Sequence, residues 1–226
     1  MPKWYHVVMY QLLHAVFWIM ARLLTRCEFH VPANLPRKGP LIIAVNHLHY
    51  VDPPLVMLAL PIRHITVLIG EKWAERWPIS WLVKMDGGIY VQRGEADRRA
   101  IERCLDVLRN GGVLGLAPEG TRSRTGVMQR GKPGVAYLAT KANVPIIPVG
   151  ISGQENITSE WKRFRRPHIV VRVGEPFMLP PVDRHHRAEQ LQALSDEVMC
   201  RIAALVREDL RGVYANHPTC QAGSTV

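Results

Sequence analysis

Five consecutive apolar residues, Leu41-Ile42-Ile43-Ala44-Val45, open directly onto Asn46-His47-Leu48-His49-Tyr50-Val51-Asp52-Pro53-Pro54. No other stretch restricts the fold as tightly. The run is short, branched and bounded by Pro40, which makes it a buried strand. Pro53 and Pro54 suit the first turn of a helix, where a missing N–H costs nothing. His47 therefore sits where a strand ends, and Asp52 where a helix begins. On a continuous helix an i,i+5 pair lies about 140° apart and could not meet. Across a turn the carboxylate can fold back and accept the proton of one ring nitrogen, fixing the tautomer and leaving the other nitrogen as a base. A polar residue at a strand edge followed by a helix cap would be spelled the same way. His49, three residues from Asp52, competes with His47.

Further along, Ile65–Ile69 is a second strand, and a short helix over about Pro54–Leu60 precedes it. Residues 71–84 have helical spacing, with Trp73, Trp77 and Trp81 on one face. That face packs in the core or joins Trp4 and Trp18 in a membrane-facing patch. Gly87-Gly88-Ile89-Tyr90-Val91-Gln92-Arg93 is a short strand ending in an arginine that can reach a cleft. A helix over 96–109 with a basic face stops at Asn110-Gly111-Gly112. Val113–Ala117 is another buried strand. It runs into Pro118-Glu119-Gly120-Thr121-Arg122-Ser123-Arg124, and the loop continues to Arg130-Gly131-Lys132-Pro133-Gly134. Guanidinium forks, hydroxyls and the N–H groups of a helix opened by Pro133 suit this loop to a phosphate. It is not a P-loop, because Pro133 follows Gly131-Lys132 and the Walker spacing is absent. Helix 133–142 leads to a buried strand in Asn143–Gly150. Trp161-Lys162-Arg163-Phe164-Arg165-Arg166 is a basic, aromatic run that is either a solvated loop or a graze against anionic headgroups. Ile169–Val173 alternates like an edge strand. A long helix spans Arg184–Arg211, and the aperiodic tail 212–226 is expected to be mobile.

A chain of 226 residues that is 47% hydrophobic makes one globular domain. Its net charge of +10 favours anionic partners. Nucleic acid is disfavoured, since no recognition helix, RRM motif or zinc-finger spacing appears. Four scattered cysteines, Cys27, Cys104, Cys200 and Cys220, read as free thiols in a reducing compartment. Residues 4–24 are the most apolar region, interrupted by His6, Gln11 and His14. No small-residue cleavage site follows, and the interruptions argue against a clean span. Lys3, His6, Tyr10, Gln11, His14 and Arg22 fall on one broad arc. A helix lying in the membrane interface, its basic residues toward phosphates, is the expected form, with a helix docked on the protein's own core as the alternative.

Four ordered blocks, NHLHYVD, GGIYVQR, APEGTRS and VPIIPVG, together resemble the glycerolipid acyltransferase family, across about residues 41–150. Family members that acylate 1-acyl-sn-glycerol 3-phosphate are the best known. The resemblance implies His47 as general base and Asp52 as its orienting partner. It implies acceptor-phosphate binding by Arg93, Glu119, Gly120, Thr121, Arg122 and Lys132. The serine usual two places after the histidine is His49 here, and the usual phenylalanine before Pro-Glu-Gly is Ala117. The implied fold is α/β, a single domain with a mixed, mostly parallel sheet flanked by helices. Its expected parts are an N-terminal membrane-associating helix in 1–30, an acyltransferase domain in 31–211 and the tail. The implied reaction moves a fatty acyl group from acyl-CoA or acyl carrier protein, as substrate, to lysophosphatidate. Other lyso-lipid acceptors, lysophospholipid or lyso-ornithine lipid, or an inactive lipid-binding relative, are the alternatives. No cofactor or metal is expected, since H-E-x-x-H spacing is absent. The expected location is the cytoplasmic face of the cell membrane, against an anionic surface.

Overall fold

A computed structural model of the chain describes residues 4–61, 63–75, 77, 80, 81, 83, 88–91, 97–183 and 185–222. Arg93, with Gly87 and Gln92 of the second block, lies outside the described residues, as do Lys3 and much of the helix expected over 71–84.

Among the described residues seven strands form one sheet, in the order β1-β7-β6-β2-β5-β3-β4. They are β1 (Arg26–His30), β2 (Leu41–Val45), β3 (Ile65–Gly70), β4 (Ile89–Val91), β5 (Val113–Leu116), β6 (Ile146–Ser152) and β7 (His168–Val173). Every neighbouring pair is parallel except β6 and β7. The expected mixed, mostly parallel sheet forms. The apolar runs are continuous because parallel strands covered on both faces have no solvent side.

Side chains of β2 alternate between two cores. Ile42 and Ala44 pack with α3 (Arg98–Arg109), α4 (Gly134–Ala142) and α6 (Arg187–Ala203). Leu41, Ile43 and Val45 pack with α2 (Asp52–Ala59) and with Ile157, which opens α5 (Ile157–Lys162). Local signals set the helix ends. The Asp97 side chain accepts the Ala100 N–H at 3.0 Å to start α3, and Asn143, at φ 51°, ends α4 in the left-handed region.

Several expectations are corrected. Residues 26–30 are a strand of the main sheet and not part of the N-terminal helical segment. Because β1 pairs with β7, the outer position belongs to β1, and 169–173 is not an edge strand. The long C-terminal helix stops at Ala203, and a short turn at Glu208–Leu210 follows. The tail is packed: Tyr214 is 1% exposed, and its hydroxyl donates to Asp196 Oδ1 at 2.7 Å and accepts from Gly131 N at 2.9 Å. Residues 223–226 lie outside the described residues. Cys200, on α6, is disulfide-bonded to Cys220, on α7 (Pro218–Ala222), so two of the four thiols are not free.

The N-terminal helix α1 (Trp4–Leu24) shows a different face from the one its polar residues suggested. Tyr10 is 6% exposed and stacks near His64, with ring centroids 5.0 Å apart. The outward stripe is apolar: Val8, Leu12, Val16, Ile19, Met20 and Leu23 are all exposed. Tyr10 and His14, placed on the arc expected toward the headgroups, face the protein body. Among the described residues no helix is long and apolar enough to cross a membrane. In the segment 71–84, Glu71–Trp73 is a single 3-10 turn, and Trp77 is 82% exposed, so no core-packed tryptophan face forms there.

Candidate active site

The C-terminal ends of β2, β3, β4 and β5 lie along one edge of the sheet, where parallel strands release their loops into a common crevice. β2 is central, so the loop that follows it is surrounded. Asn46 anchors that loop by completing the ladder with its side chain. Its Nδ2 donates to Ile151 O at 3.0 Å, and its Oδ1 accepts from Ile151 N at 2.8 Å.

His47 comes next, and Asp52 folds back on it as the turn geometry requires. His47 Nδ1 and Asp52 Oδ2 are 2.8 Å apart, with Asp52 1% exposed. The same oxygen accepts the Leu48 and His49 N–H groups, each at 2.9 Å. Two fixed main-chain donors hold the carboxylate in place, so Nδ1 must carry its proton toward Oδ2 and Nε2 is left as a base. The rivalry between the two histidines is thereby decided by geometry: His49 gives Asp52 its N–H, and His47 gives it the ring. The His49 ring lies 3.5 Å from Thr158 through Nε2, while its Nδ1 is buried without a hydrogen-bond partner among the described residues. Burial holds His49 below the usual histidine range, with Asp52 pulling the other way.

The loop after β5 clamps His47 from the other side. Glu119 is 2% exposed; its Oε1 accepts the His47 N–H at 3.0 Å and its Oε2 accepts the Gln129 N–H at 3.1 Å. Ser123 N donates to His47 O at 2.9 Å. Glu119 was expected among the phosphate binders; each of its two oxygens accepts a main-chain N–H here. Burial pushes its carboxyl up to about 7, against the N–H groups of His47 and Gln129 that pull it down.

Gly120 and Lys132 are brought together at the mouth. Gly120 has φ +70°, and the Lys132 chain crosses it so closely that an added Cβ would lie 3.1 Å from Cδ and 3.2 Å from Cε and Nζ. Only glycine fits both demands. Arg122 lies over Tyr50, its Cζ 3.4 Å from the ring centroid, and Tyr50 meets Trp73 edge-on at 5.4 Å. Thr121 is exposed on the same loop. Gln129 carried no motif signal that singled it out; Asn46 and Tyr50 stood in the first block.

Two apolar cavities open at this edge, one on each face of the sheet. The first, of 150 Å³, runs from His47 between β3 and α2 and is lined by Val45, Val56, Met57 and Val67 among others. The second, of 480 Å³, reaches Lys132 and passes between α3 and α4. Ala117 and Gly120 line both. Among the described residues no serine, threonine or cysteine lines the first. Cys104 lines the second, but burial pushes its thiol up to about 12, which leaves it inert as a nucleophile. Among the described residues Cys200, His217 and Cys220 are close enough to share a cation, but their two sulfurs are joined to each other and they stand on α6, α7 and the turn between, outside this edge.

The histidine–carboxylate pair and the loop after β5 both lie within the span of a known family. The family model described as Acyltransferase matches residues 26–152. The chain belongs to this acyltransferase family. It is 31% identical over 205 residues to the 1-acyl-sn-glycerol-3-phosphate acyltransferase alpha of Mus musculus, covering 87% of this chain and 68% of that protein. It is 26% identical over 196 residues to the lyso-ornithine lipid O-acyltransferase of Pseudomonas aeruginosa, covering 77% of this chain and 74% of that one. Among solved structures, the 1-acyl-sn-glycerophosphate acyltransferase PlsC from Thermotoga maritima superposes with a TM-score of 0.64 at 20% identity, covering 82% of this chain and 76% of that chain. That likeness speaks for the fold, and the sequence relatives make this chain an acyltransferase.

Proposed function

We propose that this acyltransferase moves a fatty acyl group from a thioester, acyl-CoA or acyl carrier protein, to the free hydroxyl of 1-acyl-sn-glycerol 3-phosphate, giving phosphatidate. The observation that carries the reading is the 2.8 Å His47–Asp52 pair at the mouth of an apolar cavity, with Gly120 lining both that cavity and the neighbouring one that reaches Lys132. His47 Nε2 takes the proton of the acceptor hydroxyl as its oxygen attacks the thioester carbon. The carbon–sulfur bond then breaks, and the thiolate leaves with that proton. Asp52 stabilises the imidazolium between the two steps. The absence of a hydroxyl or thiol among the described residues lining the 150 Å³ cavity supports direct transfer without an acyl-enzyme. Arg93, Gly120, Thr121, Arg122 and Lys132 are the proposed phosphate ligands, and the acyl chain lies in the apolar cavity. The outward apolar stripe of α1, together with the chain's net charge of +10, supports a protein lying on an anionic cytoplasmic membrane surface.

A lyso-ornithine lipid acceptor is the second reading, favoured by the Pseudomonas aeruginosa relative. The deciding assay measures acyl transfer from oleoyl-CoA to lysophosphatidate, lysophospholipids, glycerol 3-phosphate and lyso-ornithine lipid. Lysophosphatidate should be acylated fastest, and Arg122→Ala should raise its apparent KM roughly tenfold with little change in kcat. Preference for lyso-ornithine lipid would overturn the acceptor assignment, and full activity in His47→Ala would overturn the mechanism.

A further inference from the structure

The geometry points to a second membrane-insertion element: in the turn 161–166, Phe164 enters the bilayer while Lys162, Arg163 and Arg165 bind anionic headgroups. This rests on the reading that the enzyme works at a lipid surface, and it names a part of the surface that α1 alone does not supply.

Phe164 is 99% exposed and sits at φ 54°. Phe164 N donates to Trp161 O at 3.0 Å and Arg165 N to Glu160 O at 2.9 Å, so the turn terminates α5 with its left-handed residue at Phe164. Glycine or asparagine ordinarily takes that position, because a larger L-residue there brings its Cβ against the backbone. The chain thus holds a phenyl ring in water on a backbone conformation that disfavours it. Neither feature helps the folded protein by itself. Both make sense if the ring has an apolar medium to enter.

The turn is also fixed in relation to α1. Trp161 Nε1 donates to Leu24 O at 2.9 Å, and Arg166 donates to the carbonyls of Arg22 and Thr25. Leu23 and Leu24, at that end of α1, are exposed. The apolar stripe of the helix and the projecting ring are therefore parts of one rigid surface. Charge selects the occupant. All three of these cations beside the ring are exposed. Glu160 offsets one of them, lying 4.0 Å from Arg163 Nη1. A nucleic acid would suit the cations and the ring but not the neighbouring leucines. An anionic bilayer suits all three.

The test is co-sedimentation of the full chain with phosphatidylcholine vesicles, alone or with phosphatidylglycerol. The wild-type protein should bind the mixed vesicles more tightly. Phe164→Gly should bind on the order of tenfold more weakly at both compositions, the loss expected from one buried phenyl group. Glycine accepts φ 54° freely, so this variant should melt no lower than the parent. Lys162→Ser with Arg165→Ser should lose on the order of fivefold per charge on the mixed vesicles only. Turnover of a short-chain, water-soluble acceptor should be unchanged in Phe164→Gly. Wild-type binding that Phe164→Gly leaves intact would overturn this inference alone. A wild-type protein that binds neither vesicle would overturn it together with the lipid-surface reading.

Discussion

At the end of β2, Asp52 Oδ2 accepts three N–H groups and the main chain of His47 is held by Glu119 on one side and Ser123 on the other. Along α1, by contrast, Val8, Leu12, Val16, Ile19, Met20 and Leu23 face outward with no directional bond to satisfy. A reacting proton must travel between atoms placed within a few tenths of an ångström, so one lost bond is felt at once. Surface association scales with apolar area and charge, so its parts are nearly additive and individually dispensable. Substitutions in the first region should act all at once, and in the second by degrees.

The largest effect is expected for Asp52→Asn. The amide oxygen can take the place of Oδ2, but it carries no charge to favour the imidazolium, and the NH2 is left buried at the Oδ1 position, which has no partner among the described residues. Turnover should fall by about 10²–10⁴-fold, and urea denaturation should show a loss of roughly 3 kcal/mol. Near-normal kcat would mean that the pair is structural only.

Glu119→Gln comes next, and it separates support from chemistry by pH. The folded-state pKa of Glu119, about 7, lies above its ordinary 4.5, so the native protein holds this proton more tightly than the unfolded chain. Its contribution is full below pH 4.5 and is lost as pH rises through about 7, up to an order of 3 kcal/mol. Melting temperatures measured from pH 4.5 to 8 should decline in the wild-type protein, and that part of the decline should vanish in Glu119→Gln. An unchanged slope would show that Glu119 is not the titrating group.

The smallest effect is expected for Leu12→Ser. An exposed position without partners should change stability by less than about 0.5 kcal/mol, while vesicle affinity drops by a factor of a few. A large loss of stability would place the outward stripe against protein and erase the contrast between the two regions.

The strands that carry the site were legible because each is a short unbroken apolar run, and their order was legible in the blocks that follow them. The turn between His47 and Asp52 could be read because Pro53 and Pro54 mark a helix start. β1 was not legible. Arg26-Cys27-Glu28-Phe29-His30 has no buried pattern, since an outer strand is covered on little of its surface. The packing of the tail was hidden for a related reason. Tyr214 is one buried residue in an aperiodic segment, and its partners, Asp196 and Gly131, lie far away in sequence. The polar arc of α1 misled because Tyr10 and His14 are amphipathic rings that bury well, so a docked face can carry them.

The sequence by itself determined the histidine-bearing turn closed by Asp52, the cationic loop and the alternation of strands and helices, because each is written in neighbouring residues and obeys local geometry. Only the tertiary structure decided that Asp52 serves His47 and not His49, that Glu119 supports the main chain of His47, and which face of α1 meets water. Those outcomes depend on contacts between segments as far apart as His47 and Glu119, which become neighbours only when β2 and β5 pair.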